Sequence, residues 1–363
     1  MSSHEPTLFI PGPTEVFPEI LAQLARPLIS HRGPEIAAIT REIFDGLRLL
    51  FGTTNECFVA TSSATGIMEA LTRQLSTRRI LVTVCGAFSE RQLKVAHMNG
   101  KEADALVFAP GKAVDPEAVE ARLATGLYDL VTCVHSETST GILNPIAEIG
   151  RVVRRHPEVF YAVDCVSSLA GAAIDVDAAG IDLAFAGTQK CLALPPGLAL
   201  FCVSPRAMDR AASIPDRGYY FDFLNYRKMA AKGQCPATTA IPLIVALGHQ
   251  LGRIRAEGLE ARFERHRKMA ALVRERMEGI LPPFTDVRHR SPSVSVFAND
   301  RGLSIAALVD AVRRRGPIIG NGYGDLKEKC FRVGHMGDLQ PEHLDRLMDI
   351  VIEELARLGA SRR

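Results

Sequence analysis

Short, unbroken apolar runs alternate with amphipathic stretches through the first half of the chain. Residues 57–61, 79–84, 130–134, 159–163, 183–186 and 198–203 are rich in Val, Leu, Phe and Ile, as strands buried on both faces are. Helical spacing of apolar positions marks 65–75, 89–99, 116–124 and 147–156 between them. Strand-helix alternation of this kind predicts an α/β fold with a mostly parallel sheet covered by helices. After Val203 the pattern changes: 237–256 and 258–279 read as consecutive helices, and Leu281-Pro282-Pro283 breaks the run. Strands at 293–297 and 330–333 flank a helix at 305–315, which predicts a smaller α+β domain. A last helix starts at Pro341, carries Leu344, Leu347, Met348, Val351, Leu355 and Leu358 on one face, and closes at Gly359. Near the start, Pro11-Gly12-Pro13 predicts a rigid turn.

Composition narrows the function classes. The 363 residues hold 43 Lys+Arg against 41 Asp+Glu, a formal charge of +2, and the basic residues form no patch suited to nucleic acid. No apolar stretch approaches the roughly 20 residues of a membrane span. The N-terminus lacks a cationic start followed by an apolar core, so a cytoplasmic location is expected. Eight cysteines lie singly, mostly in strand-like runs, which predicts reduced core thiols and no metal site.

The glycine-rich dinucleotide and Walker loops, H-E-x-x-H and G-x-S-x-G are all absent from the sequence. Gly320-Asn321-Gly322-Tyr323-Gly324 has no dinucleotide-site context and is expected to be a surface loop. What remains is four polar clusters at the ends of apolar strands, where open α/β sheets bind ligands. Thr61-Ser62-Ser63-Ala64-Thr65-Gly66 suits either a phosphate at a helix start or a simple capping turn. His135-Ser136-Glu137-Thr138-Ser139-Thr140-Gly141 follows a buried strand. Asp164 ends another, where a carboxylate needs a partner: an arginine, a helix cap or a protonated heterocycle. Gly187-Thr188-Gln189-Lys190-Cys191 places a lysine where desolvation could make it a nucleophile for carbonyls. Pyridoxal 5'-phosphate makes sense of all four, because it needs a lysine, an acid, an anion cup and a hydrogen bond to its phenolic oxygen.

With these motifs in order and spacing, the chain resembles the class V, fold-type I pyridoxal-phosphate aminotransferases, nearest the alanine–glyoxylate and serine–pyruvate group. The likeness runs from Pro11-Gly12-Pro13 to Arg332-Val333-Gly334-His335-Met336-Gly337. It implies an N-terminal arm (1–16), a large cofactor-binding domain (17–256) and a small C-terminal domain (257–363). It also implies that Lys190 holds the cofactor and moves the substrate proton, and that Asp164 pairs with the ring nitrogen. By the same likeness Phe88 stacks on the ring, Val166 packs against it and Thr138 contacts the phenolic oxygen. Ser63, Ala64, Thr65 and Gln189 would hold the phosphate, helped by Thr238 from a second subunit of a homodimer with shared active sites. The likeness departs at Gln234 and Cys235, where some relatives carry a tyrosine. Arg332 would bind the substrate carboxylate.

The activity this implies is ping-pong transfer of an amino group from alanine or serine to a 2-oxo acid, glyoxylate or pyruvate. Phosphoserine aminotransfer is the alternative, carried by Ser30-His31-Arg32. A lyase or a desulfurase using Cys330, or a non-catalytic module, are further rivals.

Overall fold

The computed structural model describes residues 5–361. Positions 1–4 of the N-terminal arm and 362–363 at the chain's end lie outside the described residues.

The large sheet is built from β1 (Glu56–Thr61), β2 (Arg79–Val84), β3 (Glu102–Val107) and β4 (Leu130–Val134). After a two-residue hairpin of β5 (Ser136–Glu137) and β6 (Ile142–Leu143) come β7 (Phe160–Asp164), β8 (Leu183–Gly187) and β9 (Leu198–Val203). The seven strands run in the order β1-β9-β8-β7-β4-β2-β3. All are parallel in direction except β9, which is antiparallel to both neighbours. β4, β7, β8 and β9 are buried at every position, which is why they read as unbroken apolar runs. The pattern reading assigns no strand at β3. This strand is an edge, no residue of it is fully buried, and its sequence Glu-Ala-Asp-Ala-Leu-Val has no apolar run to find.

Helices cover both faces. They are α1 (Pro18–Leu24), α2 (Pro34–Phe51), α3 (Ala64–Leu75), α4 (Ala87–Met98), α5 (Pro116–Leu123), α6 (Ile146–Val153) and α7 (Val176–Ala179), then α8 (Pro205–Ser213), α9 (Phe223–Ala230) and α10 (Ile241–Glu257). The pattern reading leaves 18–51 and 205–230 unassigned. In α2, Ile36, Ile43, Phe44, Leu47 and Leu50 are buried at helical spacing against one face of the sheet. α3, α8 and α9 pack on the other. The helix expected over 237–256 begins only at Ile241, with Pro242 in its first turn, and 237–240 is an irregular loop before it.

Beyond α11 (Leu259–Met277), a three-stranded antiparallel sheet forms from β10 (Val294–Ala298), β11 (Gly320–Asn321) and β12 (Cys330–Gly334), in the order β10-β12-β11. α12 (Ile305–Arg314), α13 (Pro341–Arg357) and α11 share an apolar cluster with it. The expected surface loop at 320–324 is corrected here: Gly320 and Asn321 pair with Arg332 and Phe331 as an edge strand. The N-terminal arm ties the two sheets together. Phe9 N–H donates to Ile318 O (2.9 Å), Gly334 N–H to Phe9 O (2.7 Å), and Thr14 N–H to Gln189 O (3.0 Å). No helix among the described residues is long and apolar enough to cross a membrane.

Candidate active site

The polar clusters converge at the C-terminal ends of the parallel strands. Asp164 ends β7, in register with Val134 of β4 and Phe185 of β8. Val166 N–H donates to its Oδ1 at 2.8 Å, which anchors one carboxylate oxygen. Burial pushes this carboxyl up to about 7, and the Val166 hydrogen bond opposes the shift only in part.

Lys190 stands just past β8 and is buried. Burial pulls its amine down to about 8, with the Arg332 charge acting in the same sense. Nζ donates to Pro11 O and sits 5.8 Å from the Phe88 ring centroid. The Pro11-Gly12-Pro13 turn therefore has a function that rigidity alone did not reveal. Gly12 has φ +105°, and a Cβ there would fall 2.5 Å from Lys190 Cδ, so a side chain would collide with the lysine.

Ser63 is the N-cap of α3, yet its side chain caps nothing, and Ser62 Oγ donates to Ser63 O (2.8 Å). Gly66 N–H donates to Ser63 O (3.0 Å), the first turn of α3 carries no acidic residue, and Ser63, Ala64 and Thr65 line the cavity. This is the arrangement that receives an anion.

Glu137, which the sequence reading carried only as part of a motif, holds the site together. Its carboxylate is fully buried and accepts from Phe88 N–H (3.1 Å), Ser89 N–H (3.0 Å), Ser139 N–H (3.1 Å) and Ser139 Oγ (2.6 Å). It binds the N-terminus of α4, which carries Phe88, to the loop that carries Thr138. The signal available in the sequence was an acid three residues past the end of a buried strand. His135, two residues before it, is buried, and desolvation holds its ring down to about 4.

A cavity of about 300 Å³ gathers Ser63, Ala64, Thr65, Phe88, Thr138, Asp164, Val166, Gln189 and Lys190. Arg332, on β12, reaches its edge: Nε donates to Asn321 O (2.8 Å) and Nη1 to Thr138 O (3.5 Å). Arg91 and Tyr323 also stand here, and sequence reasoning missed both. Tyr323 stacks on Phe88 with centroids 5.3 Å apart. Thr238 is not brought into this chain's cavity; it lies exposed on the loop before α10.

The residues that carried two alternatives stand elsewhere in the fold. Arg32 is spent on its own chain, donating to Gln234 Oε1 (3.1 Å), Cys235 O (2.9 Å) and Pro236 O (3.2 Å). Cys330 is buried in β12 between two partner strands, with its thiol pushed up to about 11 by burial, unlike a mobile reactive cysteine.

A desolvated lysine, a carboxyl with one oxygen anchored, an uncapped helix N-terminus and an aromatic face around one cavity fit pyridoxal phosphate group by group. With the mostly parallel sheet they define a fold-type I pyridoxal-phosphate enzyme. Residues 11–319 match the family model for class V aminotransferases, and the chain belongs to that family. An uncharacterised aminotransferase of Methanocaldococcus jannaschii is 37% identical over 339 residues, covering 91% of this chain and 87% of the relative. The L-aspartate–glyoxylate aminotransferase of Paracoccus denitrificans is 31% identical over 350 residues, covering 93% and 88%. Among solved structures, an alanine–glyoxylate aminotransferase from Nostoc sp. superposes with a TM-score of 0.91 at 28% identity, covering 98% of this chain and 96% of that one. The protein is accordingly a pyridoxal-phosphate-dependent transaminase.

Proposed function

We propose that the enzyme takes the amino group of a small amino acid, such as alanine or serine, and passes it to glyoxylate or pyruvate in a ping-pong cycle. The observation that carries this reading is the opening of Lys190 and Asp164 into one cavity from neighbouring strand ends, opposite the uncapped start of α3. Bound pyridoxal phosphate supplies an electron sink that acidifies the substrate Cα–H. Lys190 would hold the cofactor at its aldehyde and, when free, would move the substrate Cα proton, a task suited to an amine pulled down to about 8. Asp164 would pair with the ring nitrogen, and Phe88 and Val166 would pack on the ring. Ser63, Ala64, Thr65 and Gln189 bind the phosphate, and Thr138 donates to the phenolic oxygen. Arg332 fixes the α-carboxylate.

The reading includes a homodimer in which the exposed loop of one copy, carrying Thr238, completes the phosphate end of the other's cavity. Arg32 holds that loop from within its own chain. Exposed Tyr219 (86%) and Leu28 (72%) supply apolar surface for such a contact. The arm (1–16), large domain (17–256) and small domain (257–363) follow the same reading.

The test is an absorbance scan of the purified holoenzyme with alanine, serine, 2-aminoethylphosphonate and phosphoserine added in turn. Alanine or serine is expected to bleach the visible cofactor band, and glyoxylate to restore it, with Lys190→Ala inert. A band that no donor changes would overturn the reading, and bleaching by phosphoserine alone would return it to the phosphoserine alternative.

A further inference from the structure

We infer that the cavity also takes amino donors with a second anionic group on the side chain, received by Arg91; this rests on the aminotransfer reading above. Arg91 follows Phe88 by one turn of α4, so the two side chains share a face. Its guanidinium lies 4.9 Å from the Phe88 ring centroid, and Nη2 donates to the Tyr323 hydroxyl at 3.3 Å. The side chain lines the same cavity as Lys190 and Asp164.

The charges around the cavity leave Arg91 over. Among the described residues it has no carboxylate within 4.0 Å, and the adjacent Glu90 pairs instead with Lys94 at 2.9 Å. Glu137 is filled by backbone N–H groups and serine hydroxyls. In the proposed cycle Asp164 faces the ring nitrogen, and Arg332 takes the α-carboxylate. A half-buried guanidinium held only by a ring face and a phenol gains an ion partner when an anion enters with the substrate.

Tyr323 sets the spacing. The Arg332 guanidinium lies 5.6 Å from its ring centroid, while Arg91 meets its hydroxyl. The two cations thus stand at the face and the far end of one phenol. A ligand that engages both carries an anion at each end, as aspartate, glutamate or phosphoserine does and alanine does not.

The holoenzyme is titrated by calorimetry with succinate and with butyrate, which differ in the second carboxylate and lack the amino group needed to react. Succinate is expected to bind wild type at least about tenfold more tightly than butyrate, the loss expected for one charge-assisted contact. Arg91→Gln should reduce that preference to about twofold or less, and Arg91→Lys should keep part of it. Retained cofactor absorbance shows that each variant is folded. An equal affinity for the two acids in wild type, or a preference that survives Arg91→Gln, overturns the inference. Half-reactions then identify the anion: the kcat/KM ratio to alanine should fall in Arg91→Gln for aspartate and glutamate if it is a carboxylate, or for phosphoserine if it is a phosphate. If neither ratio falls, Arg91 does not select donors. If no donor converts the holoenzyme at all, the aminotransfer reading fails, and the succinate comparison still reports on Arg91.

Discussion

Asp164 and Lys190 are both buried at the cavity with their titrations moved in opposite directions, and each shift has a consequence for stability. The Asp164 carboxyl rises from 3.8 to about 7. Between those values the folded chain keeps a proton that the unfolded chain has released, so stability falls as pH rises through that window. The Lys190 amine drops from 10.5 to about 8, so between those values the unfolded chain holds the extra proton and stability rises with pH. In the cofactor-free protein, Asp164→Asn should therefore melt above wild type at pH 8, with the advantage gone at pH 4. Thermal melts at the two pH values check this, and an advantage independent of pH would contradict it. The same substitution should weaken cofactor retention at least about tenfold, because the ring nitrogen loses a charged partner. Both residues were legible in the sequence, since each ends or closely follows an apolar run. Arg91 and Tyr323 were not, because 232 residues separate them and only the β11–β12 pairing brings Tyr323 onto Phe88.

Among the elements, the start of α4 decides how the aromatic face of the site is held. Gly86 precedes it, and a Cβ there would fall 2.4 Å from Ser139 Oγ and 2.5 Å from Glu137 Cγ. Gly86→Ala should push the Glu137 carboxylate off the α4 backbone, loosen Phe88 and weaken cofactor binding. Glu137→Gln sets an amide against the same N–H donors and should cost about 2 kcal/mol of stability. Urea unfolding measures the second effect and cofactor titration the first; wild-type behaviour in both would show that the carboxylate is not the support. The strand-helix alternation of the central sheet was readable because its inner strands are buried on both faces. β3 was hidden by its edge position, and α1, α2, α8 and α9 lay outside the stretches that the alternation picked out. Gly320 and Asn321 resembled a loop because a two-residue edge strand rich in glycine has no pattern of its own.

At the scale of the whole molecule, Arg262 connects the segment behind Lys190 to the small sheet's side of the chain. It is almost completely buried, donating to Ala170 O (3.1 Å), Cys191 O (2.7 Å), Glu257 Oε2 (2.7 Å) and Asp338 Oδ1 (3.0 Å). Burial alone would raise the Asp338 carboxyl, but Arg262 and Arg253 hold it below its usual value. Ala170 has φ +67°, a conformation unusual for a side-chain-bearing residue, and its carbonyl is fixed by this same arginine. Arg262→Met leaves Asp338 and two carbonyls short of a donor and should cost about 3 kcal/mol. Cofactor occupancy should fall as well, because Cys191 adjoins Lys190. Denaturant unfolding followed by tryptophan-independent far-UV signal suits this chain, which has no Trp. An unchanged midpoint with normal occupancy would show that the two halves are joined by other means. Sequence patterns could not reveal such a knot, since an arginine in a charged amphipathic helix looks like any solvated one.

The central claim is that Lys190 carries the cofactor. Borohydride reduction of the holoenzyme followed by peptide mass mapping tests it directly. The account predicts a pyridoxyl-phosphate adduct on the peptide containing Lys190 and none in Lys190→Ala. An adduct on a different lysine, or no adduct on protein that has bound the cofactor, would contradict it.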